Sequence, residues 1–152
     1  MAIKLGQQGA KLSLSDVNMQ GLEETKAKMI SEGVSASQIC IFFCDVSKRE
    51  SITEAAATAR AAFGDVTMLI NNAGIVSGHT TLDLSDAMIQ KTMQVNTISH
   101  LYTIREFLPS MIANRKGHIV SIASMAGIVG VPGLSDYCAS KYGAVAIDES
   151  IR

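Results

Sequence analysis

The stretch HIVSIASMAGIVGVPGLSDYCASK, residues 118–141, predicts a strand, a loop and a helix in succession. Residues 118–124 are mostly apolar and β-branched and end in small residues, which is typical of a buried strand. Glycines and a proline punctuate residues 125–134, and Ser135 or Asp136 can cap the helix that follows. The stretch therefore predicts a unit of an α/β fold with polar side chains on both sides of its loop.

Three side chains of this stretch, Ser124, Tyr137 and Lys141, are suited to acid–base chemistry. Residues four apart on a helix share one face, with roughly 5 to 6 Å between their Cβ atoms, so the ammonium can approach the phenol. A unit positive charge at roughly 5 Å stabilises a phenolate by about 3 kcal/mol at an effective dielectric near 20. Ser124 would donate a hydrogen bond to the oxygen that exchanges its proton with Tyr137. A chance Tyr–Lys pair is the alternative, because such pairs are common on helices.

The rest of the chain alternates strands and helices at a regular spacing. Apolar runs centred on Leu12, Cys40 and Met68 lie 28 residues apart, the length of one βα unit. Continuous apolar strands alternating with helices predict a doubly wound parallel sheet in a three-layer α/β/α arrangement. No linker is visible, so residues 1–152 are expected to form a single domain. The predicted helices cover 2–8, 18–32, 48–63 and 85–114, the last as one or two helices with a kink site at Pro109, and the predicted strands cover 11–15, 39–43 and 67–70.

Composition narrows the classes of function. The chain has 152 residues, and 47% of them are hydrophobic, which is typical of a protein with a globular core. Its net charge of −1 does not favour binding to nucleic acid. The histidines are isolated and have no ligand spacing, so no metal site is predicted. Cys40, Cys44 and Cys138 are odd in number and lie in or beside core elements, which favours reduced thiols and an intracellular location.

Hydropathy indicates neither a transmembrane segment nor a secretion signal in this sequence. No apolar run approaches the roughly 20 residues that cross a bilayer, and the first residues lack a secretion signal. The chain as written is therefore expected to be soluble and cytoplasmic, and membrane association of a complete form stays open.

Four motifs together carry a resemblance to a known family. The apolar strand that ends in Asn71-Asn72-Ala73-Gly74 precedes Val95-Asn96, which is followed by Ser124 and then by Tyr137-Cys138-Ala139-Ser140-Lys141. Each motif is weak alone, but in this order they resemble the short-chain dehydrogenase/reductase family. Two segments, residues 70–76 (INNAGIV) and residues 107–113 (FLPSMIA), are most similar in sequence to the branch of retinol dehydrogenases and 17β-hydroxysteroid dehydrogenases.

The resemblance implies an oxidoreductase that transfers a hydride between NAD(P) and an alcohol or carbonyl substrate, with retinoids and steroids among the candidates. It implies that Tyr137 is the acid and base, that Lys141 stabilises the phenolate and binds ribose, and that Ser124 holds the reacting oxygen. It also implies that Asn96 holds a water linking Lys141 to solvent. The helices that carry Asn96 and Tyr137 correspond to those through which many relatives dimerise, so a homo-oligomer is expected.

The same resemblance assigns residues to the cofactor. Asp16 would accept hydrogen bonds from the adenosine ribose and repel a 2′-phosphate, which favours NAD over NADP; a helix N-cap is the alternative role. Asp45 would address the adenine amine and Val46 would pack on the ring, with a plain turn as the alternative. Finally, Asn72, Ala73 and Gly74 would support the sheet and line the cofactor cleft.

Two parts of the family pattern have no counterpart in this sequence. The first strand with its glycine-rich turn, which receives the pyrophosphate, is missing, and so are the last strands. In the strand order 3-2-1-4-5-6 that first strand lies between the strands centred on Leu12 and Met68. We therefore expect an incomplete fold with unpaired edges, which binds dinucleotide poorly and turns over little alone. The alternative function is that of a non-catalytic, shortened relative acting as an interaction or dimerisation partner.

Overall fold

A computed structural model describes residues 1–152, which group into two compact units. The first unit comprises residues 1–45 and 50–66, and the second comprises residues 46–49 and 67–152. The prediction that the whole chain forms one partial dinucleotide-binding domain stays a prediction.

Besides a 3₁₀ turn (Ala36–Gln38), the first unit contains two parallel strands and three α-helices. In chain order these are α1 (Ala2–Gln7), β1 (Leu12–Asp16), α2 (Met19–Ser31), β2 (Ile39–Phe43) and α3 (Arg49–Phe63). The register between β1 and β2 runs from Leu12 opposite Ile39 to Asp16 opposite Phe43. A small core of Met29, Val34 and Ile39 packs against apolar side chains of α1, β1 and β2.

Local sequence explains how the helices of this unit begin and which face they bury. The Asn18 side chain caps α2 by accepting a hydrogen bond from the backbone N–H of Gly21 at 2.9 Å. On α3 the buried residues recur every three or four positions, so one stripe of the helix faces the core. That stripe consists of Ile52, Ala55, Ala56 and Ala59.

The second unit also has two parallel strands. Its elements are β3 (Met68–Asn71), α4 (Asp86–Met93), a π-helical turn (Gln94–Ile98), α5 (Ser99–Ala113), β4 (His118–Ser121), a 3₁₀ turn (Met125–Gly127) and α6 (Ser135–Ser150). Strands β3 and β4 pair in register from Met68 opposite His118 to Asn71 opposite Ser121. Each unit thus contains one two-stranded parallel sheet, which agrees with an incomplete doubly wound fold.

Two local predictions were wrong, and one was confirmed. The strand predicted over residues 118–124 ends at Ser121, and the carbonyl of Ile122 accepts a hydrogen bond from the Lys141 ammonium. The prediction of one or two helices over 85–114 is confirmed, because the structure has two α-helices there, joined by the π-helical turn, with Pro109 inside α5. The N-cap of α6 is Leu134, whose side chain makes no capping bond, so neither Ser135 nor Asp136 caps this helix.

A glycine sets how closely α6 approaches the π-helical turn. A Cβ atom at Gly143 would lie 2.6 Å from the Cγ2 atom of Thr97. The Thr97 hydroxyl in turn donates a hydrogen bond to the Ser140 carbonyl at 2.7 Å. Glycine at position 143 therefore allows the backbone of α6 to lie against the segment that carries Asn96.

The sequence predicted that the three cysteines are reduced thiols. Cys44 and Cys138 are buried, Cys40 is half-buried, and all three are free of disulfides. Burial is the largest influence on the pKa of Cys44 and raises it, which keeps this thiol protonated. Separately, no helix is both long and apolar enough to cross a bilayer.

Candidate active site

A cavity of about 380 Å³ lies in the second unit at the carboxyl ends of β3 and β4. The residues that line it come from the loop after each strand and from α6. They are Asn72, Gly74, Ile75, Val76, Ile122, Ala123, Tyr137 and Lys141. Ligands of parallel α/β sheets bind at the carboxyl ends of strands, so this is the position where the fold predicts a site.

Tyr137 and Lys141 stand one turn apart on α6 and both face the cavity. The Lys141 ammonium lies 5.8 Å from the centre of the Tyr137 ring and donates a hydrogen bond to the Ile122 carbonyl at 2.8 Å. Lys141 is only 4% exposed, and an ammonium has three N–H donors. The lysine is thus anchored by one donor, and its charge is held beside the phenol.

Asn96 is fully buried in the middle of the π-helical turn. Its Nδ2 atom donates hydrogen bonds to the Ile75 carbonyl at 2.8 Å and to the Ser140 hydroxyl at 2.9 Å. Its Oδ1 atom accepts a hydrogen bond from the Ile75 N–H at 2.8 Å. Both N–H donors are therefore engaged with protein groups, and one lone pair of Oδ1 remains as a further acceptor. π-Helical turns of this kind occur frequently at functional sites.

Gly74 lies next to two of the predicted catalytic side chains, and a Cβ atom there would be in ordinary van der Waals contact with both. A Cβ atom there would lie 3.4 Å from the Lys141 Nζ atom and 3.5 Å from the Asn96 Oδ1 atom. The loop residues Asn72, Ala73 and Gly74 are exposed, whereas Asn71 at the end of β3 is buried and accepts a hydrogen bond from the Thr103 hydroxyl at 2.7 Å.

Ser124 does not line the cavity. It is half-buried at the start of the 3₁₀ turn, and its Oγ atom accepts a hydrogen bond from the Ala126 N–H at 3.2 Å. This contact uses a lone pair and leaves the hydroxyl proton available for another acceptor.

Two predicted adenosine residues lie at the carboxyl end of the sheet in the first unit. A carboxylate oxygen of Asp16 accepts a hydrogen bond from the Asn18 N–H at 2.9 Å, so Asp16 closes the turn and Asn18 takes the N-cap. The Asp45 N–H donates a hydrogen bond to the Ser51 hydroxyl at 3.0 Å. Val46 falls in the second unit and is half-buried.

Some buried polar residues of the second unit were given no role from the sequence. Ser140, inside the Tyr-to-Lys segment, is fully buried, and its hydroxyl donates to the Tyr137 carbonyl at 2.7 Å while accepting from Asn96. His100, the second residue of α5, is 2% exposed, and burial lowers its pKa to about 4, with the charge of Lys141 contributing. Spacing four residues from Asn96 was the available sequence signal for His100.

A larger cavity, about 670 Å³, runs along β4 and the ends of α5 and α6. It contains none of the predicted site residues. Size alone therefore does not mark the candidate site, whereas the convergence of a phenol, an ammonium and a buried carboxamide does.

These features define an α/β protein with acid–base groups around one cleft at the carboxyl ends of parallel strands. A family model described as short chain dehydrogenase matches residues 1–152. The chain belongs to the short-chain dehydrogenase family, as its motifs predicted.

Curated relatives agree with the predicted branch. The chain is 43% identical over 151 residues to epidermal retinol dehydrogenase 2 of Mus musculus, covering 99% of this chain and 48% of that protein. It is also 43% identical over 142 residues to estradiol 17-beta-dehydrogenase 11 of Macaca fascicularis, covering 93% of this chain and 46% of that protein. The chain thus spans about half the length of the curated relatives it matches.

Solved structures agree with the predicted fold. A metagenomic short-chain oxidoreductase in complex with NADP has a TM-score of 0.91 and 30% identity, with 99% of this chain and 67% of that chain covered. A short-chain dehydrogenase/reductase from Burkholderia phymatum in complex with NAD has a TM-score of 0.92 and 31% identity, with 99% and 53% covered. Both nicotinamide dinucleotides therefore occur among structures of this fold.

Proposed function

We propose that the protein is a nicotinamide-dependent oxidoreductase acting on a secondary alcohol or the corresponding carbonyl. The observation that carries this proposal is the cavity at the ends of β3 and β4, which Tyr137 and Lys141 both line. A phenol beside a fixed ammonium can accept a proton from an alcohol and return it to a carbonyl. Membership of the short-chain dehydrogenase family supports the same reaction.

The residues around this cavity fit the nicotinamide and its ribose. Lys141 retains N–H donors for ribose hydroxyls, and Gly74 leaves room where any side chain would touch Lys141 and Asn96. Asn72, Ala73, Gly74, Tyr137 and Lys141 would hold that part of the cofactor. When bound, the nicotinamide supplies the acceptor or donor of hydride.

Asp16, Asp45 and Val46 would hold the adenosine part, and we favour NAD over NADP. Asp16 carries a carboxylate at the carboxyl end of β1, and its engagement with Asn18 fixes one oxygen while leaving the other lone pairs available. A carboxylate there accepts hydrogen bonds from ribose hydroxyls and repels the additional phosphate of NADP.

Tyr137, Lys141 and Ser124 divide the handling of the proton in this proposal. The phenol of Tyr137 exchanges a proton with the substrate oxygen, and the positive charge of Lys141 stabilises the phenolate that forms during oxidation. Ser124 is outside the cavity lining but keeps its hydroxyl proton, because its bond with the Ala126 N–H uses only a lone pair, and we assign it to donate that proton to the same substrate oxygen.

Asn96 supports the site from behind. It ties the loop at Ile75 to Ser140 on the helix that bears Tyr137 and Lys141. The remaining lone pair of Oδ1 is the acceptor by which Asn96 would hold a water next to Lys141, and such a water would pass the proton on to solvent.

The substrate class that we propose is an apolar alcohol or carbonyl such as a retinoid or a steroid. Four of the eight residues that line the cavity are apolar, namely Ile75, Val76, Ile122 and Ala123. An apolar wall with a few polar groups favours ligands that bury hydrocarbon and present one oxygen. Relatives named for retinol and estradiol support this class.

We also propose that the complete protein is a homo-oligomer in a reducing compartment. The helices α5 and α6 expose large side chains, with Leu101 46% and Tyr142 45% exposed, as expected of surfaces that pack against a second copy. The free cysteines support a reducing compartment, because disulfides are rare there.

The decisive test is Tyr137→Phe in a full-length form that contains residues 1–152. Removing the hydroxyl should lower kcat for oxidation of a secondary alcohol with NAD by at least about 100-fold, since proton transfer by a positioned group contributes that much. The matched control is Tyr102→Phe, which removes the same hydroxyl from a half-buried tyrosine on α5 that does not line the cavity. Turnover that survives Tyr137→Phe would refute the assignment.

A further inference from the structure

Asp136 precedes Tyr137 in the first turn of α6 and is 6% exposed. Carboxylates are seldom this buried unless each oxygen has a partner. Here one oxygen accepts a hydrogen bond from the Ser77 hydroxyl at 2.9 Å, and the other accepts one from the Thr92 hydroxyl at 2.9 Å. Both partners come from elements other than α6.

Those partners belong to the elements that surround the candidate site. Ser77 follows Ile75 and Val76, which form part of the cavity wall. Thr92 is 1% exposed near the end of α4, which runs directly into the π-helical turn that carries Asn96. A second contact between the same loop and α6 joins the hydroxyls of Thr81 and Ser135 at 2.8 Å. Asp136 thus connects the loop, α4 and the turn beside the phenol.

The electrostatic environment favours the ionised form of this carboxyl. Burial raises the pKa of Asp136, but hydrogen bonds from Thr92, from Ser77 and from the backbone N–H groups of Tyr137 and Asp136 outweigh burial and lower it. A negative charge in the first turn of a helix is also stabilised by the helix dipole. Because charge-assisted hydrogen bonds are about twice as strong as neutral ones, the ionised carboxylate binds the Ser77 and Thr92 hydroxyls more strongly than the protonated form would.

We propose that Asp136 is a positioning residue that fastens the Ile75–Ser77 loop and α4 to the start of α6, and thereby fixes the substrate wall relative to Tyr137. The set of Asp136, Ser77 and Thr92 is called the Asp136 clamp below. This proposal rests on the proposed function for its kinetic consequence. Its structural consequence, a loop held by hydroxyl-to-carboxylate bonds, is measurable without turnover.

The clamp is expected to act mainly on KM. The loop that Ser77 fastens carries Ile75 and Val76, which would contact bound substrate before any chemistry, whereas the phenol itself stays on α6. Loosening the wall therefore weakens substrate binding. A merely structural defect would instead reduce the fraction of active protein, which lowers the apparent kcat and leaves KM unchanged.

The test compares Asp136→Asn, Ser77→Ala and Thr92→Val, with Asp86→Asn as matched control. Asp86 also lies in the first turn of a helix but is exposed, so its variant removes a similar charge without touching the clamp. In the full-length form with NAD and a secondary alcohol, Asp136→Asn should raise KM about tenfold, the size expected on losing a charge-assisted hydrogen bond. Ser77→Ala should reproduce most of that rise, and Asp86→Asn should stay within about twofold of the unsubstituted protein.

A double variant and a measurement without turnover keep the outcome clear. Asp136→Asn with Ser77→Ala should raise KM no further than Asp136→Asn alone, because both changes break one interaction. Amide hydrogen exchange over residues 75–83 of the 152-residue chain should accelerate about tenfold in Asp136→Asn while α5 is unaffected. Unchanged exchange over 75–83, an unchanged KM or fully additive effects would overturn the clamp. Absence of turnover in the unsubstituted full-length form would instead refute the proposed function, and the exchange result would still decide the clamp.

Discussion

The two compact units hold their predicted site residues in different ways. In the second unit Lys141 is 4% exposed, Asn96 is fully buried, and each side chain bonds to a backbone group of another element. In the first unit Asp16 is exposed, and its side chain bonds to the Asn18 N–H, two residues along the chain, in a turn. Hydrogen bonds to distant segments hold a buried side chain in one position in the folded protein, whereas an exposed side chain in a turn can change its conformation when a ligand binds. The comparison indicates that the predicted catalytic side chains of the second unit are held in place without a ligand, whereas Asp16 lies at the surface of the first unit.

The largest expected effect is a pH dependence of the free energy of unfolding, and it arises from His100 in the second unit. Its pKa is about 4 in the folded protein, and burial is the main cause. An unfolded histidine titrates near 6.5, so between these values the unfolded chain binds a proton that the folded chain does not. The stabilisation is therefore complete above pH 6.5 and is lost as pH falls toward 4, by about 3 kcal/mol in all. Urea denaturation at pH 7, 5.5 and 4.5 measures this loss.

Two variants identify the source of that slope. His100→Gln should flatten the dependence between pH 6.5 and 4, whereas His118→Gln should retain it because His118 is exposed. Asp136, whose pKa is lowered, contributes stability that is lost only as pH falls through its own folded pKa, below the ordinary value of 3.8. An identical slope in His100→Gln and the unsubstituted chain would contradict the assignment.

A smaller effect is expected where α6 meets the π-helical turn. Gly143→Ala places a methyl group 2.6 Å from Thr97 Cγ2, and Thr97 is held by its bond to the Ser140 carbonyl. The resulting overpacking should lower the free energy of unfolding by about 2 kcal/mol. Gly130→Ala is the control, since no atom lies within 4 Å of that Cβ position. Equal stability of the two variants in urea denaturation would show that the approach of α6 is not tight.

The smallest effect on stability is expected in the first unit, at Asp16. Asp16→Asn keeps a carbonyl oxygen to accept the Asn18 N–H and removes only the charge, so the free energy of unfolding should change by less than about 0.5 kcal/mol. In the full-length form the ratio of NADP to NAD affinity should nevertheless rise at least about fivefold, because the repulsion of a phosphate is relieved. An unchanged ratio would remove Asp16 from the cofactor site and leave it as a turn residue.

Elements with strong local signals were predicted well from the sequence. The strand Ile39–Phe43 was predicted residue for residue, and α3 was predicted to within one residue because alanine favours helix throughout it. Strand β4 was predicted too long, since Ile122 and Ala123 are as apolar as the strand itself. Beyond Ser121 the Ile122 carbonyl accepts its hydrogen bond from Lys141, 19 residues away, and local composition does not contain that contact.

The sequence by itself determined the family and the parallel α/β class, and it predicted the acid–base side chains, because residue types at fixed spacings carry that information. The π-helical turn around Asn96, the burial of His100 and the clamp at Asp136 were decided only by the tertiary structure. Asp136 looked like a helix cap from its neighbours, but its partners Ser77 and Thr92 lie 59 and 44 residues away in the chain. Whether a polar group is buried and paired depends on which distant segments pack around it, and only the folded chain brings those segments together.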